Sequence, residues 1–148
     1  RVTLLVHTEQ VGAHYALADV VVVPSRRPEA FGRVLAEAAT AGRLVVAFLH
    51  GATGELAAAL WEHGGADAVA LPPAVELRQP GVLLLGSVFL VAPGAVRGLA
   101  AAIGWALDRP SAERTRRVEA AQQAVAARLS LDAFAERTLA VYAQAAVV

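Results

Sequence analysis

A chain of 148 residues with zero formal net charge and no cysteine can bury one core of its own. It offers nucleic acid or an acidic membrane no electrostatic attraction, and it holds neither disulfides nor thiolate metal ligands. Apolar residues are 57% of the chain and much of that is alanine, a mixture suited to Ala-faced helices packed on a sheet. The longest apolar run, GVLLLGSVFLVA at 81–92, is too short for the roughly 18 to 20 residues that span a bilayer. With no transmembrane segment and no signal-peptide pattern, a cytoplasmic location is the expectation.

In chain order, VTLLVH (2–7) reads as a strand, and EQVGAHYALA (9–18) as a short helix with Val11, Tyr15 and Ala18 near helical spacing. After Asp19, VVVV runs to Pro24 without polar alternation, the mark of a parallel strand covered on both faces. A loop, SRRPEA, leads into a helix from about Phe31 to Ala41, with Phe31, Val34, Leu35 and Ala38 apolar and Gly42 as its stop. LVVAFL (44–49) is the next buried strand, HGATG a loop, ELAAALWEHG a helix and ADAVALP a further strand. Strands alternating with helices over short loops predict an α/β fold, a doubly wound parallel sheet in one domain, 1–148.

Residues 72–93 form an irregular connection. VLLL-GS-VFLV carries a type II′ hairpin signal, or else a loop followed by one buried strand. From 94 to 146 the chain turns helical, in three segments, with Ser111 as an N-cap candidate. In the last segment Leu131, Phe134, Thr138, Leu139 and Tyr142 share a face, so that helix is expected to pack on something. All thirteen basic residues are arginine, and lysine, asparagine and methionine are absent. High-GC coding accounts for that bias. A chain opening on Arg1 without methionine reads as part of a longer protein.

The chemistry concentrates in SRRPEAFGRVLAEA, where Glu29 and Glu37 lie eight positions apart. In open α/β sheets ligands bind beyond the carboxyl ends of the strands, where loops enter helices. The N–H groups near Phe31, Gly32 and Arg33 begin a helix without intrahelical partners and favour an anion. Gly32 removes a side chain where backbone would approach it. Eight residues of helix span about 12 Å, too far for two carboxylates to share a proton or clamp one metal. They can hold hydroxyl-bearing ends of a ligand whose phosphates lie between them, because a carboxylate accepts from a diol and repels phosphate. A sugar–diphosphate–ribose molecule has that layout. From spacing alone a second reading stands beside it: both glutamates are solvated, and Glu29 offsets Arg26 and Arg27.

YALADVVVVPSRRPEAFGRVLAEAATAGRLVVAFLHGATGEL resembles the donor-binding half of retaining GT-B glycosyltransferases, the family with bacterial mannosyl- and glucosyltransferases. Tyr15, Asp19, Pro24, Ser25, Glu29, Phe31, Gly32, Glu37, Ala38, Gly42, Val45, Val46, Ala47, Gly51 and Glu55 match its pattern in order. The likeness covers roughly residues 1–71, and LAAAI (99–103) more weakly.

The resemblance implies a Rossmann-like half of a GT-B fold. Glu29 would act as the catalytic residue, contacting donor hexose hydroxyls near the reaction centre. The backbone at Ala30, Phe31 and Gly32 would hold the sugar, and that at Arg33 and Val34 the diphosphate. Glu37 would bind the ribose diol, and Gly51 would leave space for the sugar. The reaction would move a sugar from a nucleoside diphosphate to a sugar, lipid or small-molecule hydroxyl, with retention and without a cofactor or essential metal. Asp19, Asp67, Asp108 and Asp132 accordingly form no D-x-D cluster.

Departures from the pattern are Ala52 for a second glycine, Leu44 for a proline, and the lack of the family's phosphate-clamping arginine and lysine. The acceptor domain, the other partner in such enzymes, is also missing, so the isolated chain is expected to transfer nothing. The alternative is a non-catalytic nucleotide-sugar-binding or interaction module, a degenerate remnant. A GT-B-like epimerase fits less well, since E-x7-E is not its pattern. His50 and the Arg26–Arg27 pair could each touch a phosphate or be incidental. His7, His14 and His63 read as structural or surface residues, and Trp61 and Trp105 as core or interdomain contacts. Arg114, Arg116 and Arg117 with Glu113 and Glu119 read as a solvated helix face.

Overall fold

The computed structural model describes residues 2–61 and 82–145. The predicted strand ADAVALP, His63 and the part of the irregular connection before residue 82 lie outside the described residues. The elements run α1 (Val11–Leu17), β1 (Val20–Val23), α2 (Arg33–Thr40), β2 (Leu44–Phe48), α3 (Thr53–Trp61), β3 (Val82–Leu85), β4 (Val88–Val91), α4 (Val96–Leu107), α5 (Ser111–Leu129) and α6 (Leu131–Ala145).

Among the described residues one sheet forms, in the order β1-β2-β4-β3. β1, β2 and β4 are parallel, while β3 runs antiparallel to β4. The fold class is therefore as predicted, with one antiparallel strand added at the edge. That strand comes from VLLLGSVFLV: Leu85 pairs with Val88 across Gly86 and Ser87, and Gly86 takes a positive φ of 54°, which glycine adopts without steric cost. The hairpin reading holds over the alternative of a loop and a single strand.

Both faces of the sheet are covered, which is why β2 and β4 are buried at every position. Side chains alternate between faces along each strand. Val21, Val23, Val45, Ala47, Val88 and Leu90 meet α2, α3 and α5 on one side. Leu44, Val46, Phe48, Val82, Phe89 and Val91 meet α4, through Ala102 and Ala106, on the other. Trp105, partly buried, packs against this second cluster. Alanine at the helix contact positions lets the helices lie close to the sheet.

Two local expectations need correction. Residues 2–7 do not form a strand; they join no ladder, and Val2, Leu4, Leu5 and Val6 are exposed. Among the described residues the segment has no pairing partner, and propensity without a ladder does not make a strand. Ser111 is the first helical residue of α5, with Pro110 before it and no side-chain cap. Among the described residues nothing covers most of the α6 stripe: α6 buries no residue, and Leu131, Phe134, Leu139 and Tyr142 are exposed.

The cluster read as a solvated face is only partly so. Glu113 accepts from Arg117 Nε at 2.9 Å and from Arg109, and Arg117 also donates to the Gly86 carbonyl at 2.9 Å. Arg109 in turn lies over the Phe89 ring, 5.3 Å from its centroid. Partial burial pushes the Glu113 carboxyl up, but the hydrogen bond from Arg117 and the two guanidinium charges outweigh it and hold the group below its ordinary value. This network pins the hairpin turn to α5 at the amino ends of the parallel strands.

Candidate functional site

β1 and β2 are adjacent and parallel, with Val23 opposite Ala47, so the loops that follow them emerge side by side at the carboxyl ends of the strands. Pro24 to Gly32 leads into α2, and Leu49 to Ala52 leads into α3. These loops carry most of the residues singled out from the sequence, and they interlock. The Ala52 N–H donates to the Glu29 carbonyl at 3.1 Å. Gly51 has φ 56°, and a Cβ there would stand 2.6 Å from the Glu29 carbonyl oxygen and 2.9 Å from its nitrogen. The space that glycine leaves is thus taken by the backbone of Glu29. Ala52, the departure from the expected glycine pair, is half-buried and contributes through its N–H.

Ser25 Oγ donates to Glu29 Oε1, and His50 Nε2 meets the Ser25 carbonyl oxygen. His50 is anchored by its own backbone: its N–H donates to Thr53 Oγ1 at 3.1 Å, and that buried hydroxyl donates to the Phe48 carbonyl at 2.9 Å. His50 Nδ1 is buried with no hydrogen-bond partner among the described residues. Among the described residues Glu29 Oε2 has no partner, so the half-buried carboxylate is held by one oxygen and open at the other.

α2 begins at Arg33 with Gly32 as its N-cap, at φ 78° and with no side-chain cap. The left-handed backbone, more than close approach to a ligand, explains this glycine, because a Cβ would meet nothing nearer than 3.8 Å. Leu35 and Ala36 turn their N–H groups back to the Gly32 carbonyl. The N–H groups of Arg33 and Val34, at the first two helical positions, have no carbonyl available within the helix. Ala30 and Phe31 are exposed on the approach to that terminus. The helix stops at Gly42 as expected: Gly42 and Arg43 donate to the Ala39 and Ala38 carbonyls, both at 3.0 Å, the paired bonds of a Schellman end.

Glu37 lies on the second turn of α2, half-buried. Its Oε2 accepts from the Tyr15 hydroxyl at 3.1 Å, and its Oε1 from Arg33 at 3.2 Å. Burial, followed by the hydrogen bond and charge of Glu37, pushes the Tyr15 hydroxyl above its ordinary value. The contacts of Tyr15 with Glu37 and of Thr53 with His50 and Phe48 were not assigned by chemistry read from spacing. Tyr15 matched the family pattern without a role attached, and nothing local marked Thr53.

Arg26 and Arg27 are exposed and make no hydrogen bond or ion pair among the described residues. Phe31 also lines an apolar hollow of about 630 Å³, whose other walls come from the end of α5 and from α6. Among the described residues no group of three or more histidines or carboxylates is placed to hold a metal, and no helix is long and apolar enough to cross a membrane.

The architecture is a Rossmann-like α/β half with two carboxylates flanking a helix N-terminus at the carboxyl ends of adjacent parallel strands. Residues 1–109 match the family Glycosyl transferases group 1, and the chain belongs to that family. Comparison with curated proteins and with solved structures finds no match. The chemistry of the family is glycosyl transfer.

Proposed function

We propose that this chain is the donor-binding half of a retaining GT-B glycosyltransferase and takes a nucleoside-diphosphate sugar at the α2 N-terminus. The observation that carries the reading is the juxtaposition around α2: uncapped N–H groups at Arg33 and Val34, with Glu29 before them and Glu37 after them. The diphosphate would sit at those N–H groups, where the helix dipole favours negative charge. The open Oε2 of Glu29 would accept from hexose hydroxyls. Glu37, already accepting from Tyr15 and Arg33, would take the ribose diol, with Arg33 free to swing toward phosphate because its side chain is 83% exposed. Ala30, Phe31 and Gly32 would present backbone to the sugar, and Gly51 would support it indirectly by letting the second loop pack on Glu29.

The transfer step draws on the same parts. As the bond from the anomeric carbon to the diphosphate oxygen breaks, negative charge grows on the leaving group, and preorganised N–H donors stabilise that charge without reorganisation. Glu29 orients the sugar beside it. The acceptor, held by a second lobe closing on this one, would form the new bond from its hydroxyl oxygen to the anomeric carbon as its proton passes to the departing diphosphate, and no cofactor or metal takes part in the scheme.

Calorimetric titration with UDP, GDP and their glucose and mannose conjugates tests the reading. The expected outcome is millimolar or tighter binding of one base series, weakened by Glu37→Ala about three- to tenfold, the loss of one hydrogen-bonding group. No heat with any nucleotide would overturn the donor site and favour a non-catalytic module.

A further inference from the structure

The loop after β2 reaches the loop after β1 at three points, all on Ser25 or Glu29. Ala52 holds the Glu29 carbonyl, Gly51 lies against the Glu29 backbone, and His50 Nε2 meets the Ser25 carbonyl. Ser25 then donates its hydroxyl to Glu29 Oε1. A carbonyl oxygen only accepts, so Nε2 is the donor in that contact, and Nδ1 is buried with no hydrogen-bond partner among the described residues. With Nε2 given to Ser25 and Nδ1 enclosed, neither ring nitrogen is presented to a phosphate. The geometry therefore removes His50 from phosphate binding and gives it another task.

We infer that His50 is a positioning residue for Glu29: it fixes Ser25 by the backbone, and Ser25 fixes one oxygen of the Glu29 carboxylate so that the other faces the sugar. This rests on the donor-site reading and adds a specificity element that the E-x7-E pattern does not contain. Three features make His50 suited to the task. Its backbone is tied to α3 and β2 through the buried Thr53 hydroxyl. The ring is rigid and spans between two loops. Its N–H is consumed in doing so, and the carboxylate of Glu29 is left to accept from ligand hydroxyls and from nothing else among the described residues beyond Ser25.

The sugar and the diphosphate lie on different parts of the site, so the role has its own signature. His50→Leu should raise the Kd for the sugar conjugate about three- to tenfold while leaving the Kd of the bare nucleoside diphosphate unchanged. His50→Gln, whose amide N–H reaches about as far as Nε2, should restore the wild-type ratio. Ser25→Ala, which removes one hydroxyl and threatens folding little, should shift the ratio in the same sense as His50→Leu. A merely structural histidine would move both constants together. If Ser25→Ala and a folded His50→Leu both keep the wild-type ratio of the two constants, the inference is overturned while the donor site stands. If the wild-type chain binds neither UDP, GDP nor their sugar conjugates, the donor site falls and this inference falls with it.

Discussion

At the residue scale, the two interlocked loops make steep demands on single positions. Gly51 has a positive φ and no room for a Cβ against Glu29. Gly51→Ala should therefore cost about 1–3 kcal/mol, combining left-handed backbone strain with displacement of the Glu29 carbonyl. A drop in thermal midpoint, with weakened sugar-conjugate binding, would show it. Tyr15→Phe keeps the packing and removes only the hydroxyl that Glu37 accepts from. Glu37 then has one restraint fewer, and nucleotide affinity should fall by about two- to fivefold in calorimetry, less than in Glu37→Ala. Glu29 and Glu37 were singled out in the sequence by spacing and resemblance, and Gly51 by resemblance alone. The reason for Gly51 was not legible, because it depends on which backbone fills the space, and only the approach of two loops distant in the chain decides that. The partner of His50 was hidden for the same reason: an imidazole in a Gly-rich loop has no local pattern that reveals a carbonyl 25 residues away.

At the scale of elements, β2 and β4 read clearly because they are buried on both faces and uniformly apolar. The same logic misled at residues 2–7, where an apolar run is present but no neighbouring strand pairs with it. The hairpin at Gly86–Ser87 was one of two readings, and the Arg117 bond to the Gly86 carbonyl is among the contacts that hold it.

That network gives a pH prediction. The Glu113 carboxyl is held below its ordinary value, so its contribution is present above the ordinary glutamate pKa and is lost as pH falls through the depressed one. Thermal melts between roughly pH 5 and pH 3 should therefore show a steeper loss in the wild type than in Glu113→Gln. Equal slopes would mean the network contributes nothing. The α6 stripe makes the opposite prediction. Phe134 is exposed, and Phe134→Ser should change the stability of this chain by less than about 0.5 kcal/mol in denaturant melts. Leu35→Ala, in the core face of α2, should cost about 2–5 kcal/mol.

For the whole molecule, sheet, helices and loops converge on one end, the carboxyl ends of β1 and β2. The far end, where Arg109, Glu113 and Arg117 gather, serves the hairpin turn. This separation assigns the Glu113 pH dependence to stability, and the binding proposed for Glu29 and Glu37 should show little crosstalk with it, since the two sites share no partners among the described residues. Family and fold class were legible because the motif residues fall at strand ends and helix starts, where their spacing is fixed by the elements themselves. Under the proposed function, the choice of sugar and base would rest on loop backbone, which has no such spacing code.

The central claim is that a diphosphate lies at the α2 N-terminus with the sugar toward Glu29. Amide chemical-shift mapping of the isotopically labelled chain during titration with UDP-glucose and GDP-mannose tests it most directly. The largest shifts should fall at the Arg33 and Val34 amides for both the conjugate and the bare diphosphate. Shifts at Glu29 and Gly51 should appear only when the sugar is present. Shifts gathered instead on α6 and the hollow beside Phe31, with Arg33 and Val34 unmoved, would contradict it.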